Sequence, residues 1–290
     1  MMKARISGRR FGIAFPKPAD SALNAKISVL LRRYTSIGRL MTSKRLPRND
    51  PRTIARDIPG IFDALFPQLI PGVVAHFNRG SRAITGCKPV PEELIAASTL
   101  NRAMLFEVAV AAGEQLLAGR NTVDWSDALR VAGTRQKRHF DARIPASLAL
   151  NDIVVAERVA RNLTIALHQF QAENDQCPVV LSPPIPGFEW IASGVGDFSV
   201  GAKLIEVKCT NKHFSASDYR QIVMYWLLGY ASSVESKRPE WSEGILVNPR
   251  LSRFVQLSFN EIIGVIGAGR SKVDLLQLFS SMVGDHVRDH

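Results

Sequence analysis

Apolar and polar positions follow different periods in the two halves of the chain. In "NDIVVAERVARNLTIALHQFQA", residues 151–172, Ile153, Ala156, Ala160, Leu163, Leu167 and Phe170 recur at helical spacing. They predict an amphipathic helix with one buried stripe. Three short apolar runs follow, "PVVLSP", "WIASGVGDFSV" and "KLIEVKC", and these predict strands. A second helix is expected over about 217–232. Strands "EGILVNP" and "RFVQLSF" come next, then a last helix over about 273–282. The order reads αβββαβ with an extra strand and helix. That predicts a mixed α/β (α+β) domain, one sheet with helices packed on it.

The first half is mainly helical in pattern. Residues 22–45, "ALNAKISVLLRRYTSIGRLMTSKR", predict a basic amphipathic helix, and "LPRNDPRT" a break after it. Residues 54–77 predict one or two short helices interrupted at Pro67 and Pro71. "KPVPEELIAASTLNRAMLFEVAVAAGEQLLAG" predicts one Pro-started, Ala-rich helix closing at Gly119. "VDWSDALRVAG" predicts a short helix capped by Asp124. The expected organisation is a basic arm over 1–57, a helical domain over 58–145 and the mixed domain over 146–290.

Composition narrows the class. The 290 residues are 46% hydrophobic and 22% charged, which are globular values. No apolar run has membrane-spanning length, so no membrane partner is expected. Cys87, Cys177 and Cys209 are far apart and form no CxxC pair. This argues against a disulfide framework or a structural zinc site and suits a reducing, cytoplasmic setting. The charge is concentrated. Residues 1–57 hold 14 Lys and Arg against 3 acidic residues, and the remainder balances. A basic arm of this kind attracts a polyanion, because neutralised phosphates release counterions. A solvated basic tail is the plainer reading of the arm alone.

The chemistry gathers in "GVGDFSVGAKLIEVKC". Gly201-Ala202 separates two strand-like runs, the signature of a two-residue type II′ turn. That register sets Val200 against Lys203 and, counting back, Asp197 against Glu206. Lys208 shares a face with Glu206. Facing carboxylates repel. A divalent cation offsets this directly, since Mg²⁺ is held by one or two carboxylates with waters and phosphate oxygens. Such a centre suits phosphodiester hydrolysis. An ordinary ion-pair cluster with Lys208 bridging the acids is the plainer alternative. Ile205 and Val207 alternate with the charged pair, so the opposite face of the strand is expected to be core. Gln221 and Tyr225 lie four apart on the next helix, on one face. Helix–sheet packing with satisfied polar tips is the plainer reading of these two alone.

Gly196-Asp197, Glu206-Val207-Lys208 and Gln221-x-x-x-Tyr225 together resemble the motifs of the PD-(D/E)XK nuclease superfamily, in its RecB- and Cas4-like branch with a QxxxY helix motif. The resemblance covers roughly residues 150–260. Glycine stands where the family name has proline. The resemblance implies a restriction-endonuclease-like core in which Asp197 and Glu206 bind Mg²⁺, with Mn²⁺ as a substitute. It implies that Lys208 positions or activates water, and that Gln221 and Tyr225 support the site. It implies a further glutamate from a preceding helix. Glu157 is preferred because its helix leads directly into the strands, and Glu107 is the rival. The expected activity is Mg²⁺-dependent DNA cleavage, in defence against foreign DNA or in DNA processing. RNA stays open as substrate, as does a homodimer or a partner protein of a multi-component system. The alternative is a non-catalytic nucleic-acid-binding protein on the same fold. A paired-carboxylate glycosidase suits the nearby lysine and basic arm less well. His213 and His139 are weaker candidates. The first lies in a loop, and the second in a basic stretch with no evident partner.

Overall fold

A computed structural model describes residues 51, 60–136, 144–236 and 239–288. Apart from residue 51, the basic arm with its amphipathic helix lies outside the described residues, as does His139. The helices are α1 (Ile61–Leu65), α2 (Pro71–Arg79), α3 (Glu92–Ala96), α4 (Arg102–Leu117), α5 (Trp125–Gln136), α6 (Leu150–Ala172), α7 (Ala216–Ser236), α8 (Phe259–Ile266) and α9 (Lys272–Arg288). The strands are β1 (Arg82–Ala83), β2 (Val179–Leu181), β3 (Pro184–Ile185), β4 (Gly194–Val195), β5 (Phe198–Val200), β6 (Lys203–Val207), β7 (Glu243–Asn248) and β8 (Arg253–Ser258). Six strands form one mixed sheet in the order β1-β8-β7-β6-β5-β2, and β3 pairs with β4 apart from it. Among the described strands only β6 and β7 are parallel neighbours, joined by the crossover through α7.

Helices cover both faces of the sheet. On one face Leu163, Ala166, Leu167 and Phe170 of α6 pack on Phe198, Val200, Ile205, Ile245 and Val247. Each fully buried Leu or Phe there contributes about 1.5–3 kcal/mol relative to exposure. On the other face Leu204, Leu246 and Val255 meet Ile222 and Trp226 of α7, Ile262 of α8 and Phe279 of α9. Of the stripe expected on α6, Ile153 is half-buried and the rest are buried, and Val155, Val159 and Ala166 are buried beside them.

Residues before 145 share these cores with the later elements. Ile61, Leu65, Val74 and Phe77 of α1 and α2 join the cluster under α7. Helices α4 and α5 pack on the first half of α6, through Val155, Ala156, Val159 and Ala160. Strand β1 extends the sheet, with Arg82 paired to Phe254 and Ala83 to Arg253. A two-residue strand carries no period of its own, so the sequence pattern gives no sign of it.

The single helix expected over 88–119 is two. It stops after Ala96 and resumes at Arg102, where Asn101 accepts the Met104 N–H at 2.8 Å. The interruption is held by Asp152, buried in the first turn of α6. Its carboxylate accepts Ser98 Oγ at 2.7 Å, Thr99 N at 2.8 Å, Thr99 Oγ1 at 2.8 Å and Ala149 N at 2.9 Å. Four donors satisfy the buried charge and leave Ser98 and Thr99 outside any helix. Burial tends to raise this carboxyl, but the Ser98, Ala149 and Thr99 hydrogen bonds hold it below its usual range. Pro71 opens α2 at its first turn instead of interrupting a helix, and Asp124 caps α5 through the Asp127 N–H at 3.0 Å. Among the described residues no helix is long and apolar enough to cross a membrane.

Candidate functional site

The β5–β6 hairpin has the expected register. Val200 faces Lys203 and Phe198 faces Ile205, so one step further Asp197 faces Glu206. Gly201 turns with φ 54°, and a Cβ there would lie 2.3 Å from Asn174 Nδ2. Both the left-handed backbone and the close approach require glycine.

Asp197 ends the ladder by substituting for it. Its carboxylate accepts the Val207 N–H at 2.8 Å, and its own carbonyl accepts the Ser182 N–H at 3.0 Å. The side chain is therefore tied to β6 and the main chain to the segment after β2. Glu206 is 1% exposed. Sequence alternation pointed to one core face and one charged face on β6. Both faces are core, because α7 lies over the side that carries Leu204 and Glu206.

A buried carboxylate at that position needs partners. Lys208 Nζ donates to Glu206 Oε1 at 2.8 Å and to Gln221 Oε1 at 2.9 Å. Gln221 Nε2 donates to Glu206 Oε1 at 2.5 Å and approaches Tyr225 Oη at 3.1 Å. The Gln221 amide thus joins acid, base and phenol. The i,i+4 spacing on α7 aims Gln221 and Tyr225 at one point of the sheet. Lys208 offsets the Glu206 charge and the Val207 amide stabilises that of Asp197.

A cavity of about 530 Å³ opens over this pair. Asp197, Glu206 and Lys208 line its sheet side, and Glu107, Glu114 and Arg135 line its helical side. Arg135 bonds Glu114 at 2.7 Å and lies 3.9 Å from Glu107. Gln221 and Tyr225 stand behind Glu206, outside the lining.

Glu157 is not at the cavity. It is 41% exposed and pairs with Arg161 at 2.6 Å in its own helix. The preference for Glu157 over Glu107 is therefore corrected. The helix leading into the strands is α6, but α4 packs along it and presents Glu107 to the cavity. Small residues allow this approach. A Cβ on Gly113 of α4 would lie 3.3 Å from Leu163 of α6. Glu157 sits beside the apolar stripe and turns to water.

Cys209 follows Lys208 and borders the same cavity. Burial pushes its thiol up to about 12. Asp197 and Glu107 add to the rise, while Arg250 and Lys208 oppose it. A thiol held protonated is a poor nucleophile.

The donor set at the pair consists of hard oxygens. Among the described residues no group of three or more His, Cys, Asp or Glu side chains is close enough to hold a metal ion. Asp197 and Glu206 fit an open Mg²⁺ site, in which water and phosphate supply the remaining ligands. They do not make a closed all-protein cage.

No family model, no curated protein and no solved structure matches this chain. The reading of the site rests on its residues and their geometry.

Proposed function

We propose that the protein is a Mg²⁺-dependent nuclease that hydrolyses phosphodiester bonds of DNA. The observation that carries this is the facing of Asp197 and Glu206 on a cavity wall, with Lys208 held beside them by Gln221. In this reading Asp197 and Glu206 are the ligands of Mg²⁺, which when bound activates water and neutralises developing charge. The Asp197 carboxylate is held in place by the Val207 N–H. Lys208 orients the attacking water or a phosphate oxygen at the cavity. Gln221 fixes Lys208 and Glu206 together, and Tyr225 steadies Gln221. Glu107 faces the same cavity from α4 and tunes its charge. The αβββαβ order, with β6 and β7 parallel across α7, supports a nuclease-like core.

A second reading is non-catalytic nucleic-acid binding on this fold. The Glu206–Lys208 ion pair favours it, because the pair satisfies both groups within the protein. Incubation with linear, circular and single-stranded DNA and with RNA, with and without Mg²⁺ or Mn²⁺, separates the two. Mg²⁺-dependent products support the nuclease. Binding without products in any metal overturns it.

A further inference from the structure

A second concavity, of about 640 Å³, lies between α2, the loop after β6 and the start of β8. Pro71, Val74 and Ala75 form an apolar floor, and Arg79, His213 and Arg253 form the rim. No carboxylate lines it among the described residues. The described partners of both guanidiniums are neutral. Arg79 Nη2 lies 3.2 Å from His76 Nδ1, and Arg253 bonds the Ser81 hydroxyl and carbonyl at 3.1 Å each. Most other arginines on the described surface are matched by acids, as Arg130 is by Asp127 and Arg161 by Glu157. Arg82, Arg120 and Arg270 also have neutral described partners, but the groove sets two such arginines around one concavity with no carboxylate in its described lining, which leaves positive charge there for something outside the chain.

Its location adds a constraint. Lys208 at the cavity and His213 at the groove belong to one loop and are five residues apart. Even fully extended chain spans no more than about 18 Å over that length. A single flexible ligand can reach both.

We infer that this groove binds single-stranded nucleic acid leading to or from the cavity, with phosphates on Arg79 and Arg253 and an unpaired base on the Val74–Ala75 floor. The inference rests on the nuclease reading for its direction, but the binding itself needs no metal. Charge alone would suit any polyanion. The apolar floor selects a strand whose bases are free to turn inward, and in a duplex they are stacked and paired. A positively charged groove that tracks the backbone is one part of the usual construction for sequence-tolerant single-strand binding, and here aliphatic side chains stand where aromatic platforms are usual.

The test uses the full chain in EDTA and a fluorescent oligothymidylate, with anisotropy read at several salt concentrations. Both arginines are exposed, so Arg79→Ala with Arg253→Ala leaves the core intact, and a thermal melt confirms folding. The double variant should bind at least tenfold more weakly, and its log K against log salt slope should fall by about 1.4, the value for two phosphates on a single strand. Arg79→Lys with Arg253→Lys should restore most of the affinity. Arg130→Ala with Arg161→Ala removes equal charge elsewhere and should change little. The proposal is overturned if the two double-alanine variants behave alike, or if duplex binding falls as far as single-strand binding. It is also overturned if poly-glutamate displaces the oligonucleotide as well as unlabelled oligothymidylate does, which would assign the groove to an acidic protein. Cleavage by the unmodified protein in Mg²⁺ is scored separately. Loss of groove binding without any cleavage sinks the nuclease and keeps the groove, and cleavage with unimpaired double-variant binding does the reverse.

Discussion

The Asp197 carboxylate accepts the backbone N–H of Val207 at 2.8 Å, so an acidic side chain occupies the place of a strand partner. The sheet holds its position. Asp197→Ala should therefore abolish Mg²⁺-dependent cleavage and also cost about 1–3 kcal/mol for the orphaned amide. Glu206→Ala should abolish cleavage too, at a cost of about 3–5 kcal/mol, because Lys208 is left in a buried site without its acid. Glu206→Gln keeps the shape and should remain better folded while inactive. Cleavage assays beside thermal melts decide this, and full activity in either alanine variant removes the site assignment.

Glu107→Gln should impair cleavage more than Glu157→Gln. Glu107 faces the cavity, whereas Glu157 is paired in solvent with Arg161. Exposed i,i+4 pairs contribute only about 0.3–0.5 kcal/mol, so the Glu157 variant should melt almost as the parent does. Parallel rates for the two variants at saturating Mg²⁺ provide the comparison.

Lys208→Ala should slow single-turnover cleavage by about 10²–10⁴-fold, the range for one positioned proton-handling group, with little loss of DNA affinity. The variant also exposes Glu206 and Gln221 to rearrangement, so Lys208→Arg serves as the charge-retaining control. Weakened binding with an unchanged rate would make Lys208 a phosphate clamp.

Asp152 gives a pH signature away from the site. Its folded carboxyl is held below its usual 3.8, so its contribution is complete above that value and disappears as pH falls through the depressed folded value. Asp152→Asn should destabilise the protein by about 1–3 kcal/mol at neutral pH, because Asn cannot accept all four hydrogen bonds. The gap between parent and variant should close in acid below about pH 4. A gap that stays constant from neutral to acid would show that the ionised form is not what α6 and the Ser98–Thr99 turn require.

Removing residues 1–57 should weaken nucleic-acid binding and flatten its salt dependence, equally across sequences. The segment carries 14 Lys and Arg against 3 acidic residues, and phosphate contacts position a protein without reading bases. An unaltered slope in the shortened protein would assign the arm to another partner.

The hairpin register and the stripe of α6 were legible because strict periods fix them. Period two allows one pairing of Asp197 with Glu206 once the Gly201 turn is placed. The position of Glu107 was not legible. It depends on α4 crossing α6 at a contact of small residues, and no local period encodes that crossing. The Asp152 turn escaped for a related reason. Its donors, Ser98 and Thr99, lie more than fifty residues earlier in a run whose alanines favour helix. Short strands such as β1 and β3 take their conformation from their partners and leave almost no pattern of their own. Arg79 and Arg253 are ordinary surface arginines in sequence. Only the fold brings them to one groove.

The pairing of β1 with β8 also orders events in time. Arg82 meets Phe254 across 172 residues, and its guanidinium sits 4.7 Å over the Phe254 ring. A growing polypeptide leaving the ribosome presents the first of these strands long before the second exists. Until then the edge beside Arg79 has no mate, and the arginine rim is half built. The grip on nucleic acid proposed for that rim thus waits until Arg253 has been made. A nascent chain cannot use it to hold the ribosomal RNA around it.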